Sequence, residues 1–125
     1  MLWSFQADTP IYTQLVARLQ EQIVSGAYPP GSKLPSVRDL AADAGVNPNT
    51  VQRAFAELER LGLIYTQRTS GKFVTEDAAA IDAARRALAE GQTRQYLAAM
   101  SALGFDRATL ITFLNQMEET KDANS

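Results

Sequence analysis

Amide and guanidinium side chains recur on one side of a segment whose apolar spacing predicts a helix. At about 100° per residue, the apolar side chains of this segment share one face: Val51, Ala54, Phe55, Leu58 and Leu61. The opposite face carries Asn49, Gln52, Arg53, Ala56 and Arg60. Amides bond to adenine, Arg bonds to guanine, and a small Ala permits close approach. This set suits the major groove of DNA, although an ordinary solvent-exposed helix face has the same composition.

The start of the same helix is suited to contacting phosphate. Asn47 is a typical N-cap residue, and Pro48 follows at the first helical position. The first backbone N–H groups of a helix are free and favour anions. Asn47, Asn49 and Thr50 can therefore meet a DNA phosphate there.

Three cationic side chains are expected near the DNA-contacting face of this helix. Arg38 lies on the preceding helix, and Arg68 and Lys72 flank a predicted hairpin tip. Residues 1–75 hold seven Lys/Arg and six Asp/Glu, whereas residues 76–125 hold five and eight. The net charges of the two parts are therefore +1 and −3. Each of the three cations, taken alone, is equally consistent with an ordinary solubilising charge. Phosphate contacts by such cations supply most non-specific affinity for DNA.

The residue types that are missing exclude several kinds of chemistry. The 125 residues contain no Cys and no His, so disulfides, zinc fingers and catalytic triads are excluded. Carboxylates do not cluster at metal-binding spacing, and no pair of them suits a hydrolase. No apolar run approaches the roughly 18 residues of a membrane span, and the amino terminus lacks a signal peptide's regions. We therefore expect a cytoplasmic, non-enzymatic protein with no metal, no cofactor and no membrane contact.

The signals along residues 1–76 predict a winged helix-turn-helix. A helix with apolar residues every four positions spans about 10–26, with Pro10 as its first helical residue. Short helices follow at 36–45 and 47–61, joined by a tight turn at Gly45. Ser36, three residues before Asp39, is a capping-box-like start for the first of them. Segments 63–67 and 72–75 read as strands of a hairpin.

The segment after residue 76 predicts two further helices. Residues 78–89 include seven Ala, Gly91 is expected to mark a bend, and Asp106 can cap the last helix. The apolar side chains of the two helices form stripes: Ile81, Ala84, Leu88, Tyr96, Met100 and Leu103, then Leu110, Phe113, Leu114 and Met117. Two copies can bury these stripes against each other in a twofold interface. The alternative is a tail that folds back on its own domain.

Three stretches resemble the signature of the GntR-type bacterial transcription regulators. They are Pro30-Gly31-Ser32-Lys33-Leu34-Pro35-Ser36-Val37-Arg38-Asp39-Leu40-Ala41, then residues 47–55, then residues 58–64. The short tail, and Pro10-Ile11-Tyr12 at the start of the first helix, resemble the YtrA subfamily. The resemblance covers roughly residues 8–117.

This resemblance implies a winged helix-turn-helix that binds an operator as a dimer, usually as a repressor. The family's DNA-contact positions fall here on Ser36, Arg38, Asn47, Asn49, Thr50, Gln52, Arg53, Gly71 and Lys72. Two departures are visible. Thr69 stands where many members have the first Gly of the wing, and Pro48 stands where many have Arg.

The sequence therefore predicts a mainly α fold with a small β-hairpin. Residues 1–76 form the winged helix-turn-helix domain and residues 77–125 a helical dimerisation tail. The predicted function is sequence-specific regulation of transcription: a homodimeric repressor on double-stranded DNA, at an inverted-repeat operator, using recognition helix 47–61 and wing 63–75. The alternative is a winged-helix module for protein–protein contact. Trp3 and Phe5 are expected to pack on the first helix or to join the dimer seam, and the alternative is a small-molecule site around them. The effector is unknown.

Overall fold

The computed structural model describes residues 3–117. Within them, five helices and one two-stranded antiparallel sheet follow in chain order: α1 (Ile11–Val24), α2 (Val37–Ala44), α3 (Pro48–Arg60), β1 (Ile64–Gln67), β2 (Gly71–Val74), α4 (Ala78–Ala102) and α5 (Arg107–Gln116). The predicted fold class, mainly α with a small hairpin, is confirmed.

The first three helices and the hairpin share one apolar core. α1 packs against α3, and α2 packs against α3. The apolar stripe of α1 and that of α3 both enter this core, together with residues of α2 and the hairpin: Leu15, Leu19, Ile23, Leu40, Val51, Ala54, Phe55, Leu58, Leu63, Ile64 and Val74. Leu61 shares the predicted apolar face of α3 but is 40% exposed at the C-cap of the helix. The chain turns at Gly62, with φ +78°, and Leu63 enters the core instead.

The first helix begins one residue later than the sequence predicts. Pro10 has extended backbone angles and is the N-cap of α1, not its first helical residue. The Gln14 side chain stabilises this start, because its Nε2 donates to the Thr9 carbonyl at 2.9 Å and to the Gln6 carbonyl at 2.8 Å. Its Oε1 also accepts the Gln6 N–H at 2.8 Å. The segment before α1 is thereby held against the helix.

The two aromatic residues before α1 pack on the core. Trp3 and Phe5 are stacked, with ring centroids 5.9 Å apart, and both lie against the core cluster. Trp3 Nε1 donates to Asp43 Oδ2 at 2.9 Å, which joins this segment to α2. Packing within the chain, one of the sequence alternatives, is therefore confirmed, and a part in a dimer seam stays a prediction.

The hairpin is extended by the segment that precedes α2. β1 and β2 pair from Ile64 with Val74 to Gln67 with Gly71. On the other side of β2, the Leu34 N–H donates to the Lys72 carbonyl at 2.8 Å. The Val74 N–H donates to the Ser32 carbonyl at 2.9 Å. Backbone bonds on both edges of β2 thus fix the hairpin next to the start of α2.

The chain divides into two compact units, one ending at Ala87 and the other beginning at Leu88. The first unit includes the start of α4, where Ile81 is buried in the core cluster. In the second unit, α4 continues without interruption through Gly91, which was expected to mark a bend. Gly costs about 1 kcal/mol relative to Ala inside a helix, which good helix formers on both sides offset.

The capped helix α5 is the last helix in the part of the second unit that the structure describes. Asp106 is its N-cap, and Oδ1 of Asp106 accepts the Thr109 N–H at 2.8 Å, as predicted. Of the α5 stripe, Leu110 is buried whereas Phe113, Leu114 and Met117 are exposed. Among residues 3–117, no single helix is long and apolar enough to cross a membrane. Only α4 and α5 taken together are long and apolar enough for a membrane span, and the two helices are bent by 98° relative to each other.

Candidate nucleic-acid interface

Two capped helix starts lie at the predicted interface. The Ser36 Oγ accepts the Asp39 N–H at 3.0 Å and begins α2. The Asn47 Oδ1 accepts the Asn49 N–H at 2.8 Å and begins α3, with Pro48 at the first helical position. Both caps were predicted from the sequence and are confirmed. Each cap leaves further N–H groups of the first turn exposed to an anion.

The exposed face of α3, the start of α2 and the hairpin border one open depression. It has a volume of about 340 Å³ and is lined by Val37, Gln52, Phe55, Ala56, Glu59 and Lys72. Gln52 and Lys72 were predicted contact residues on different elements, and the structure brings them to one surface. Ala56 leaves this part of the α3 face open, as the sequence predicted.

Arg53 of α3 lies over an aromatic ring of α1. Its guanidinium carbon is 3.8 Å from the centroid of the Tyr12 ring. Arg53 is exposed, and Tyr12 is half-buried against the core cluster. Sequence reasoning placed Arg53 correctly on the exposed face of α3 but missed Tyr12. The sequence signal for Tyr12 was its position at the start of α1, in the Pro10-Ile11-Tyr12 stretch.

Lys72 is joined to α3 by a polar network. Its Nζ lies 3.2 Å from Glu59 Oε1 and 2.7 Å from Thr66 Oγ1. The Thr66 hydroxyl also donates to Glu59. The Thr66 hydrogen bond, and then the Lys72 ammonium, hold the pKa of Glu59 below its usual range. Glu59 therefore stays ionised near neutral pH, and it neutralises part of the Lys72 charge in the protein without DNA.

Gly71 begins β2 in a backbone conformation that favours glycine. Its φ is +110°, and a Cβ at this position would lie 3.2 Å from Cε of Lys33. Lys33 is exposed and forms a bridge with Phe73 on the outer edge of β2. The structure thus adds Lys33 to the cations near the wing, a residue that sequence reasoning did not single out although it lies in the Pro30–Ala41 stretch.

The other predicted contact residues lie on the same elements. Arg38 is exposed in the first turn of α2, Asn49 is exposed in the first turn of α3, and Thr50 beside it is half-buried. Arg60 lies at the far end of α3 and forms an ion pair with Glu57. The Arg60 guanidinium lowers the pKa of Glu57, first through their hydrogen bond. Arg60 is therefore engaged within α3, whereas Arg53 stacks on a ring.

Replacing Glu59 by Gln should make the wing more cationic. The variant removes the charge that pairs with Lys72, so one further ammonium becomes available to a phosphate. We expect tighter binding to random-sequence duplex DNA, and a salt dependence steeper by up to about one unit of log K against log salt. Fluorescence anisotropy over a range of salt concentrations measures both quantities.

Glu57→Gln is the matched control for this change. It removes the same charge from the same helix but releases Arg60, which is outside the predicted contact set. An equal effect of the two variants would show that only net charge matters. An unchanged affinity and salt slope in Glu59→Gln would show that the ion pair with Glu59 does not limit phosphate contact by Lys72.

Comparisons with known proteins agree with this geometry. The sequence profile of the family described as "Bacterial regulatory proteins, gntR family" matches residues 11–74. The HTH-type transcriptional repressor YtrA of Bacillus subtilis is 47% identical over 73 residues, which cover 58% of this chain and 56% of that protein.

Two solved structures extend the comparison. A GntR family transcriptional regulator from Listeria monocytogenes has a TM-score of 0.81 and 41% identity, covering 91% of this chain and 100% of that chain. The DNA-binding domain of AraR, in complex with operator ORX1, has a TM-score of 0.53 and 26% identity. It covers 60% of this chain and 93% of that chain. The first of these structures extends the likeness beyond the winged part of the chain.

Proposed function

The chain belongs to the GntR family of bacterial regulatory proteins and is a DNA-binding transcriptional regulator, and from that premise we propose that it represses transcription as a homodimer on an inverted-repeat operator. The observation that carries the proposal is the shared surface of α2, α3 and the hairpin, where Gln52 and Lys72 line one depression. The operator complex of the AraR domain supports DNA as the ligand of this fold. The repressor assignment follows the name of its relative YtrA.

The proposal assigns the contacts by the chemistry of each side chain. Gln52 and Arg53 read base edges in the major groove, because an amide pairs with adenine and a guanidinium with guanine. The polar side chains at the starts of α2 and α3, together with the residues at the wing, contact the sugar–phosphate backbone: Ser36, Arg38, Asn47, Asn49, Thr50, Gly71 and Lys72. This division gives specificity to the middle of α3 and affinity to the surrounding residues.

The proposal places the dimer interface in the tail, within residues 77–125. In the part of the second unit that the structure describes, six large side chains of mainly apolar character are between 40% and 71% exposed: Tyr96, Leu103, Ile111, Phe113, Leu114 and Met117. Exposed apolar patches of this kind mark interaction surfaces. A second copy of the chain is the occupant that fits, because a twofold dimer presents two recognition helices to the two halves of an inverted repeat. The DNA-binding domain expected at residues 1–76 then also includes the start of α4, as far as Ala87.

A regulator of this kind acts where the bacterial chromosome is, so the proposed compartment is the cytoplasm. Its action is binding and not catalysis, and the proposal includes no cofactor and no metal. No effector is part of the proposal.

Binding to DNA from upstream of the protein's own gene tests the function. We expect the whole chain to prefer that DNA to random-sequence duplex by about 10³ or more, with affinity falling steeply as salt rises. Arg38→Ala should weaken all sequences about equally and reduce the salt slope by about one. Fluorescence anisotropy at several salt concentrations gives both results. Binding that is weak and indifferent to sequence and salt would instead favour a protein-binding module.

A further inference from the structure

The stack of Arg53 on Tyr12 connects α1 to the face of α3 that is proposed to read bases. The guanidinium carbon lies 3.8 Å from the ring centroid, well inside the range in which a cation is attracted to an aromatic face. Tyr12 lies in the first turn of α1 and packs against the core cluster. The ring is therefore a fixed surface, and the otherwise flexible arginine rests on it.

Stacking orients an arginine without using its hydrogen-bond donors. The N–H groups of a guanidinium lie in its plane, whereas a ring contacts the face of that plane. An ion pair has the opposite consequence, as in Arg60, whose Nε and Nη2 both donate to Glu57. The orientation of the Arg53 guanidinium is therefore fixed, while its in-plane N–H groups remain available for the two hydrogen bonds that recognise a guanine.

We propose that Tyr12 is a positioning residue for operator recognition, because it holds the Arg53 guanidinium in the orientation that reads a base. The proposal rests on the proposed role of Arg53 as a base contact. It adds α1 to the elements that determine sequence preference, although α1 itself has no predicted DNA contact. Only the face of the ring is required, so the phenol hydroxyl is dispensable.

Three single variants and one double variant separate positioning from packing. The variants are Tyr12→Leu, Tyr12→Phe, Arg53→Ala and the double variant of Tyr12→Leu with Arg53→Ala. Affinities for the operator and for a random-sequence duplex are measured by anisotropy, and thermal unfolding is followed for each protein. We expect Tyr12→Leu to weaken operator binding about two- to fivefold, the effect of one exposed cation–π contact. Tyr12→Phe should retain operator affinity, and random-duplex affinity should be unchanged in both.

The double variant decides the outcome. If Tyr12 acts through Arg53, then Tyr12→Leu has no further effect once Arg53 is Ala. A full additive loss, or an equal loss on operator and random duplex, would overturn the positioning role and leave Tyr12 as a packing residue. If Arg53→Ala itself leaves operator affinity unchanged, the base contact assigned to Arg53 fails together with this inference. Should Tyr12→Leu unfold, Tyr12→Met repeats the comparison with a more adaptable side chain.

Discussion

A chain that ends at Ala87 is expected to be a monomer and to bind a full inverted-repeat operator about 10²- to 10⁴-fold more weakly than the whole chain. In a dimer, binding of the first recognition helix places the second beside its half-site, so the second contact is intramolecular. Without the second unit, each half-site must capture its own monomer from solution. Affinity for an isolated half-site should stay unchanged, because α2, α3 and the hairpin are all retained.

The position of the cut follows from the core. Ile81 is only 6% exposed and belongs to the core cluster, and Ala84 packs against that cluster. A cut at residue 76 would remove Ile81, and the loss of this buried aliphatic side chain would destabilise the domain. DNA binding would then weaken for a reason unrelated to dimerisation. A cut after Ala87 keeps the whole first unit. Sedimentation of this shortened chain then measures its oligomeric state, and anisotropy measures its affinity for full and half operators. Neither result is affected by a loss of stability in the DNA-binding domain.

A point variant in the whole chain gives the same test without a truncation. Leu114 is 46% exposed, so Leu114→Asp leaves the core of its own chain intact while placing a carboxylate in the proposed interface. Thr112→Asp is its control, because residue 112 lies about 160° away around α5 at 100° per residue. We expect Leu114→Asp to be monomeric and Thr112→Asp to be dimeric. A Leu114→Asp or truncated chain that still sediments as a dimer would place the interface elsewhere.

The parts of the fold that the sequence predicts are those set by neighbours in the chain. Ser36, Asn47 and Asp106 begin helices because each side chain accepts a backbone N–H two or three residues later. Gly45 ends α2 with φ +71°, a conformation that glycine adopts without strain. Such signals lie within one turn of helix and need no knowledge of tertiary packing.

The differences from the sequence predictions lie at the ends and interruptions of helices. The helical periodicity of α3 puts Leu61 on the apolar face, yet Leu61 is 40% exposed, and the turn at Gly62 brings Leu63 into the core. Gly91 was a local signal for a bend, and the alanine-rich sequence around it keeps α4 continuous. Such places are the parts of a helix that local sequence signals define least accurately.

Within the candidate site, the sequence predicted the exposed residues but not their partners. Tyr12 and Arg53 meet because α1 packs on α3, and Glu59 and Lys72 meet because the hairpin folds back beside α3. These pairs are distant in the sequence, and no periodicity indicates them. The partners nevertheless decide what each cation can do: Lys72 is partly neutralised, and Arg53 keeps its donors available.

Replacing Arg53 by Ala should lower operator affinity by about 1–3 kcal/mol, roughly five- to 150-fold, while random-duplex affinity changes little. A guanidinium that donates twice to one guanine loses both bonds in the variant, and the guanine acceptors are left without a partner. A phosphate contact would instead weaken every sequence about equally. Competition between operator and random duplex, measured by anisotropy, distinguishes the two.

Arg60→Ala and Arg53→Lys are the controls that make this result specific. Arg60 is an exposed arginine of the same helix whose donors are engaged by Glu57, so its removal should leave operator preference intact. Arg53→Lys keeps the charge but lacks the planar fork, so it should retain random-duplex affinity and lose most of the preference. Equal losses from Arg53→Ala and Arg60→Ala would mean that charge on α3, and not base reading by Arg53, determines binding. If Arg53→Lys matched the unaltered protein, Arg53 would be a phosphate contact, since an ammonium serves that role as well as a guanidinium does.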